Sequence, residues 1–232
     1  MTPEQTAELR AAFAAHIANR LPAMSPGFRK WHDENIDLLN RIAAAAGNPN
    51  ALTADLVREL VFEQSNGICR LNWGHLATRI RIYNNAHSRH PIPMPTPEAF
   101  IPSIARLLKI RNAGDRLSWA DYLKFRDNFF EAAGLDNLAS LVNRAVVAVF
   151  PDQFTTPVDD GSMFRAHAAL ARRGFVPHRS LESSWFECSS LVVRELRAVL
   201  AGNGFDDAYL SSFVWFAHKY FSERGEIRPQ GR

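Results

Sequence analysis

Hydrophobic residues recur along this chain at helical spacing, in stretches set off by capping and stop signals. Phe28, Trp31, Leu38, Leu39 and Ile42 fall on one stripe, as do Leu56, Leu60 and Val61, then Ile104, Leu107 and Leu108. Trp119, Tyr122, Leu123 and Phe130 follow. Leu138, Leu141, Val142, Ala145 and Val149 make the most hydrophobic stripe and predict a central helix. Leu191, Val192, Leu196 and Val199 form another, and Leu210, Phe213, Val214, Ala217 and Phe221 the last. Helix starts are written as Thr2-Pro3-Glu4-Gln5, Ser25-Pro26, Thr96-Pro97-Glu98 and Ser118-Trp119-Ala120-Asp121, each a cap with a proline or a capping-box acid or amide. Gly47, Gly67, Gly114, Gly134, Gly174 and Gly202 each close an apolar stretch. Strand-like alternation is rare. Arg79-Ile80-Arg81-Ile82-Tyr83 reads as a short strand or as the end of a helix from His75. The pattern predicts an all-α protein of roughly nine or ten helices.

One stretch interrupts the helical period. From His90 to Pro97 a proline occupies every second position. Each ring fixes its own φ and biases the preceding residue away from the helical region, so the run is extended and stiff. It is the expected boundary between an N-terminal helical subdomain, residues 1–90, and a C-terminal one, 91–225, with a frayed tail at 226–232; one continuous domain is the other reading.

Composition excludes several classes. Hydrophobic residues are 47% and charged residues 22% of 232, with 12 Gly, 13 Pro and two cysteines, which is ordinary for a globular protein and unlike collagen or a disulfide scaffold. Cys69 and Cys188 form no C-x-x-C pattern, and Glu4 and Glu8 precede any apolar stretch, unlike a signal peptide. The longest apolar run, Ala145 to Phe150, is too short to span a bilayer. A cytoplasmic protein without membrane contact is expected.

Familiar catalytic signatures are absent. The chain has no G-x-x-x-x-G-K-[ST], no G-x-S-x-G and no H-E-x-x-H. Gly202-Asn203-Gly204 follows a helix and reads as a stop. His87 and His90 lack an obvious third metal ligand, Asp159-Asp160 has the placement of a helix cap, and Glu187-Cys188 with His167 or His178 has no geometry fixed by spacing. No catalytic residue, metal or cofactor is expected.

Charge changes the picture more. The net charge is +3, from 27 bases and 24 acids. Residues 61–120 alone carry eight bases and three acids, and no acid lies between Glu63 and Glu98. That segment holds Arg70, Asn72, Trp73, Arg79, Arg81, Tyr83, Asn84, Asn85 and Arg89, with Lys109 and Arg111 on the next predicted helix. Arginine neutralises phosphate and pairs with a guanine edge, asparagine pairs with adenine, and aromatic rings stack on unpaired bases. These residues form the candidate DNA-binding set.

Asn143-Arg144-Ala145-Val146-Val147-Ala148-Val149-Phe150-Pro151-Asp152, followed by Thr155-Thr156-Pro157-Val158-Asp159, resembles a segment of McrB-type proteins, the AAA+ motor subunits of modification-dependent restriction systems. Trp185-Phe186, Phe213-Val214-Trp215-Phe216 and, upstream, Ser65-Asn66-Gly67-Ile68 are similar to the same region. The resemblance consists of small motifs without a catalytic signature. It implies the helical region that precedes the motor, in which N-terminal modules recognise DNA, often with a modified base, while a partner subunit cuts. Those modules have several unrelated folds, so no binding residue carries over. The expected function is a non-enzymatic DNA-recognition module of a restriction or phage-defence system, with an AAA+ motor and a nuclease subunit as partners. An interaction or assembly module for such a subunit is the alternative, and a helical glycosylase-like enzyme is third.

Overall fold

The structure is a computed structural model that describes residues 1–20, 37–38, 40–61, 73–136, 138–180, 183–200, 210, 213–214, 216–218 and 220–221. All regular structure among them is helical, as the periodicity predicts, and no strand occurs among them. The elements are α1 (Pro3–Arg20), α2 (Ala54–Val61), α3 (Trp73–Ala86), α4 (Ile101–Asn112), α5 (Trp119–Ala133), α6 (Ala139–Val149), α7 (Asp160–Arg172) and α8 (Trp185–Leu200), with short 3-10 turns at Pro49–Ala51 and Pro97–Phe100. Further helical residues lie within 37–47 and 210–221. The Arg79–Tyr83 alternation is helical, inside α3. Phe28, Trp31, Leu39, Gly67, Cys69, Gly202 and the 226–232 tail lie outside the described residues, as do Ser25-Pro26 and Trp215.

The caps follow the sequence signals. Thr2 and Gln5 form a reciprocal box at α1: the Thr2 amide donates to Gln5 Oε1 at 2.7 Å, and the Gln5 amide to Thr2 Oγ1 at 3.2 Å. Ser118 caps α5 by accepting from the Asp121 amide at 3.1 Å, and its hydroxyl donates to the Asp121 carboxylate at 2.7 Å. Asp159 caps α7, accepting from the Ser162 amide at 2.7 Å. Thr96-Pro97 opens a 3-10 turn, and α4 begins only after it, at Ile101.

The chain divides into two compact units, Met1–Arg29 with Pro151–Arg232, and Lys30–Phe150. The proline run lies inside the second. In the first unit α7 packs on α8, and α8 on α1. Trp185 Nε1 donates to the Pro157 carbonyl at 2.6 Å, and its ring stacks on Phe154 with centroids 5.5 Å apart. The Thr155 amide donates to the buried Ser189 hydroxyl at 2.8 Å. Phe13 meets Phe213 edge-on at 5.0 Å.

In the second unit α6 is the hub that the sequence predicts. Residues 141–149 are all buried, and α2, α4 and α5 pack on α6. A helix buried all round must satisfy its polar groups internally; Asn143 does so by accepting from the Tyr122 hydroxyl at 2.7 Å. On α5 the core stripe differs from the expected one. Tyr122, Phe125, Phe129 and Ala133 are buried, Leu123 and Phe130 only half so, and Trp119 is 44% exposed. At about 100° per residue, Tyr122, Phe125, Phe129 and Ala133 fall within about 80° of one another around the axis, and Trp119 and Phe130 lie to one side of that arc, about 75–100° from its middle.

Candidate nucleic-acid interface

The basic segment is carried mainly by α3. Leu76 and Ile80 are buried, while Tyr83 and Asn84 are half-buried, so one face of the helix turns inward. The opposite arc exposes Thr78, Arg81, Ile82 and Asn85. Arg81 and Asn85 are one turn apart and adjacent. Arg79 is also exposed, but two residues from Arg81 means about 160° around the axis. The two guanidinium groups flank the exposed arc instead of forming one cluster. Arg89 is exposed in the turn that follows α3. Arg79, Arg81, Arg89 and Lys109 have no carboxylate partner among the described residues.

Other arginines are engaged. Arg106 pairs with Asp121 at 3.2 Å, Arg126 with Asp127 at 2.9 Å, Arg173 with Glu8 at 3.0 Å and Arg58 with Asp55 at 2.8 Å. Arg41 pairs with Asp37 and Glu59. Ser118 and then Arg106 hold the Asp121 carboxyl below its ordinary range. Lys109 is exposed on α4, and Arg111 lies half-buried with its guanidinium 5.8 Å over the Phe150 ring. α4 packs principally on α2, α5 and α6 rather than on α3. Arg70 and Asn72 lie outside the described residues, and of Trp73 only its place as the first residue of α3 is described.

Two members of the candidate set have other partners. Asn84 forms a two-point clamp on the proline run: the Ile92 amide donates to its Oδ1 at 2.8 Å, and its Nδ2 donates to the Ile92 carbonyl at 2.9 Å. The prolines on either side of Ile92 have no N–H, so Ile92 offers the first donor available there. Tyr83 stacks on His87 with centroids 4.3 Å apart, and its carbonyl lies 3.1 Å from His87 Nδ1.

Tyr83 also forms one wall of an open groove of about 560 Å³, lined by Asp127, Phe130, Glu131, Gly134, Leu135 and Asp136. Asp127, Phe130, Glu131 and Gly134 are spaced three, four and seven apart, on one face at the C-terminal end of α5. The segment that is free of acids in sequence thus meets three acids in space, all from α5 and the turn after it. The apolar periodicity puts Phe130 on the core stripe and so hides this groove; in sequence, only the 127/130/131/134 spacing marks these residues as sharing a face.

Asp159 is a cap. Burial pushes the Cys188 thiol up and the His167 imidazole down, the reverse of an activated thiolate–imidazolium pair. The Arg179 guanidinium, near both, sits 4.1 Å over the Phe164 ring. His87 and His90 are exposed, and no three potential ligands gather to hold a metal ion among the described residues. No described helix is long and apolar enough to cross a membrane.

No protein-family model, curated protein or solved structure matches this chain.

Proposed function

We propose that this chain is a non-enzymatic DNA-recognition module that uses the exposed arc of α3 and the turn after it. The observation that carries this reading is the set of exposed cations, Arg79, Arg81 and Arg89, without carboxylate partners among the described residues, in a protein whose other arginines are often tied to acids. A free guanidinium on a helix surface is ready to release counterions from a phosphate backbone without first breaking an ion pair. Flanking guanidiniums with Asn85 between them suit contacts on two phosphate ridges and one base edge. Tyr83 and Asn84 leave the candidate set, because one faces carboxylates and the other holds Ile92. The preference for a modified base, the place in a restriction or phage-defence system, and the motor and nuclease partners rest on the family resemblance alone. A cytoplasmic location goes with them and with the buried free thiol of Cys188.

The test is a fluorescence titration of duplexes with and without a methylated base at low and moderate salt. Affinity is expected to fall with salt on a logarithmic slope of about −0.9 per phosphate contacted. Replacing Arg79, Arg81 and Arg89 together by glutamine flattens that slope. Undetectable binding to both duplexes at low salt, or an unchanged slope in the triple variant, overturns the reading. The interaction-module alternative is favoured by one observation, the acidic groove beside Tyr83.

A further inference from the structure

We infer that the groove between Tyr83 and the C-terminal end of α5 docks an extended peptide segment of a partner protein that carries arginine or lysine. This rests on the groove alone and not on the DNA reading.

Its walls combine two chemistries. Tyr83 and Phe130 present aromatic rings, both half-buried, and Glu131 and Asp136 are exposed carboxylates with no cation partner among the described residues. Asp127 is already paired with Arg126, whose guanidinium also stands 6.0 Å over Phe130. Arg126 thus takes one face of Phe130, as His87, stacked 4.3 Å away, takes one face of Tyr83, so an incoming cation meets only the opposite face of each ring. The groove opens at the C-terminal end of α5, the negative end of its macrodipole, so backbone and side chains attract the same sign of charge.

Size and spacing select the occupant. A volume of about 560 Å³ is that of a ligand site and far exceeds a bare ion. The carboxylates do not converge as a metal-ligating group, so they line the groove instead of chelating. Gly134, one of the lining residues, ends α5 beside Ile92, which the two hydrogen bonds from Asn84 hold in place; a Cβ on Gly134 would meet Ile92 atoms at 3.8–3.9 Å. A preformed, open, acidic and aromatic groove matches a segment of several residues with its cationic side chains over Tyr83 and Phe130 and its charges on Glu131 and Asp136.

The test uses the full chain and a labelled, end-capped peptide, Gly-Arg-Ala-Lys-Gly, with a version in which glutamine replaces both cations. Saturable binding of the cationic peptide is expected, with the glutamine version about tenfold weaker or worse. Glu131→Gln with Asp136→Asn should weaken binding by a similar factor, and Phe130→Leu by a few-fold, keeping apolar area but losing the ring. Both acids are exposed, so thermal unfolding should be unmoved. The absence of saturable binding, or equal binding by the double variant, overturns the proposal. So does displacement of the peptide by spermidine at equal or lower concentration, which would mark loose counterion attraction. Self-association of the chain that the same double variant abolishes would also overturn it, making a second copy the occupant. The double variant should retain duplex binding and the Arg79/Arg81/Arg89 variant should retain peptide binding, so the two readings fail separately.

Discussion

Asn84 shows how one side chain can organise a segment that cannot organise itself. Alternate prolines remove every second donor from the run 91–97, and residues 91–96 belong to no helix. The Asn84 amide gives Ile92 a donor and an acceptor at once, and so fixes the side chain that a Cβ on Gly134 would meet. Replacing Asn84 with alanine removes both bonds and should cost about 1–2 kcal/mol of local stability. Hydrogen exchange at the Ile92 amide is the direct readout: protection should fall by roughly an order of magnitude in Asn84→Ala. It should fall less in Asn84→Asp, which still accepts from the Ile92 amide but no longer donates to its carbonyl. Unchanged protection in the alanine variant would show that the prolines hold the run alone. Ser189 plays a comparable part in the other unit, where its buried hydroxyl accepts from the Thr155 amide. Ser189→Ala leaves that buried donor unpaired, at a cost of about 1–3 kcal/mol in urea unfolding; a smaller loss would mean that another acceptor replaces it.

Helices in this protein begin and end where side chains and backbone meet specific needs, and two of the glycine stops differ in a measurable way. Gly134 ends α5 with φ 65°, and a Cβ there would meet Ile92 atoms at 3.8–3.9 Å, ordinary contact. Gly174 follows α7 with φ 73°, and a Cβ there would run into the Gln5 side-chain amide, which donates to the neighbouring Arg173 carbonyl at 2.9 Å. Gly134→Ala should therefore cost about 1 kcal/mol, from the left-handed backbone alone. Gly174→Ala should cost more, because steric displacement of Gln5 adds to the same backbone term. In a double-mutant cycle on thermal unfolding, Gln5→Ala should recover part of the Gly174→Ala loss; strict additivity would mean that Gln5 moves aside freely. Both stops, and the caps at Thr2, Ser118 and Asp159, were legible because capping is a short-range matter of a few residues. The face of α5 was less so. Trp119 and Phe130 are as apolar as Tyr122 and Phe125, and only packing on α4 and α6 decides which of them turn inward.

Charge is the property for which the whole molecule departs most from its sequence. The acid-free run is a fact of the chain order, yet folding sets Tyr83 beside Asp127, Glu131 and Asp136. Arg79 and Arg81, two residues apart, diverge around α3. Order along the chain reported which residues carry charge; three-dimensional placement separated a cationic arc from an acidic groove. Buried ionisable groups were likewise hidden from the sequence. His167 is 2% exposed, with no hydrogen-bond partner at Nε2 among the described residues. Burial chiefly, with Arg179 and His178 nearby, lowers its pKa from 6.5, against a smaller opposing effect of the Pro177 carbonyl. Well above pH 6.5 neither the folded nor the unfolded chain protonates this imidazole, and the native state keeps its full stability. As pH falls below 6.5 the unfolded chain takes up the proton and the folded chain resists it, so unfolding binds protons and stability declines toward the lower folded pKa. The urea midpoint should therefore drop between pH 7.5 and pH 5.5, a window set by the value of 6.5 and the downward shift. His167→Leu removes the titrating group, and its midpoint should fall less over the same interval. Parallel falls in the two proteins would place the acid sensitivity elsewhere, outside the core of α7.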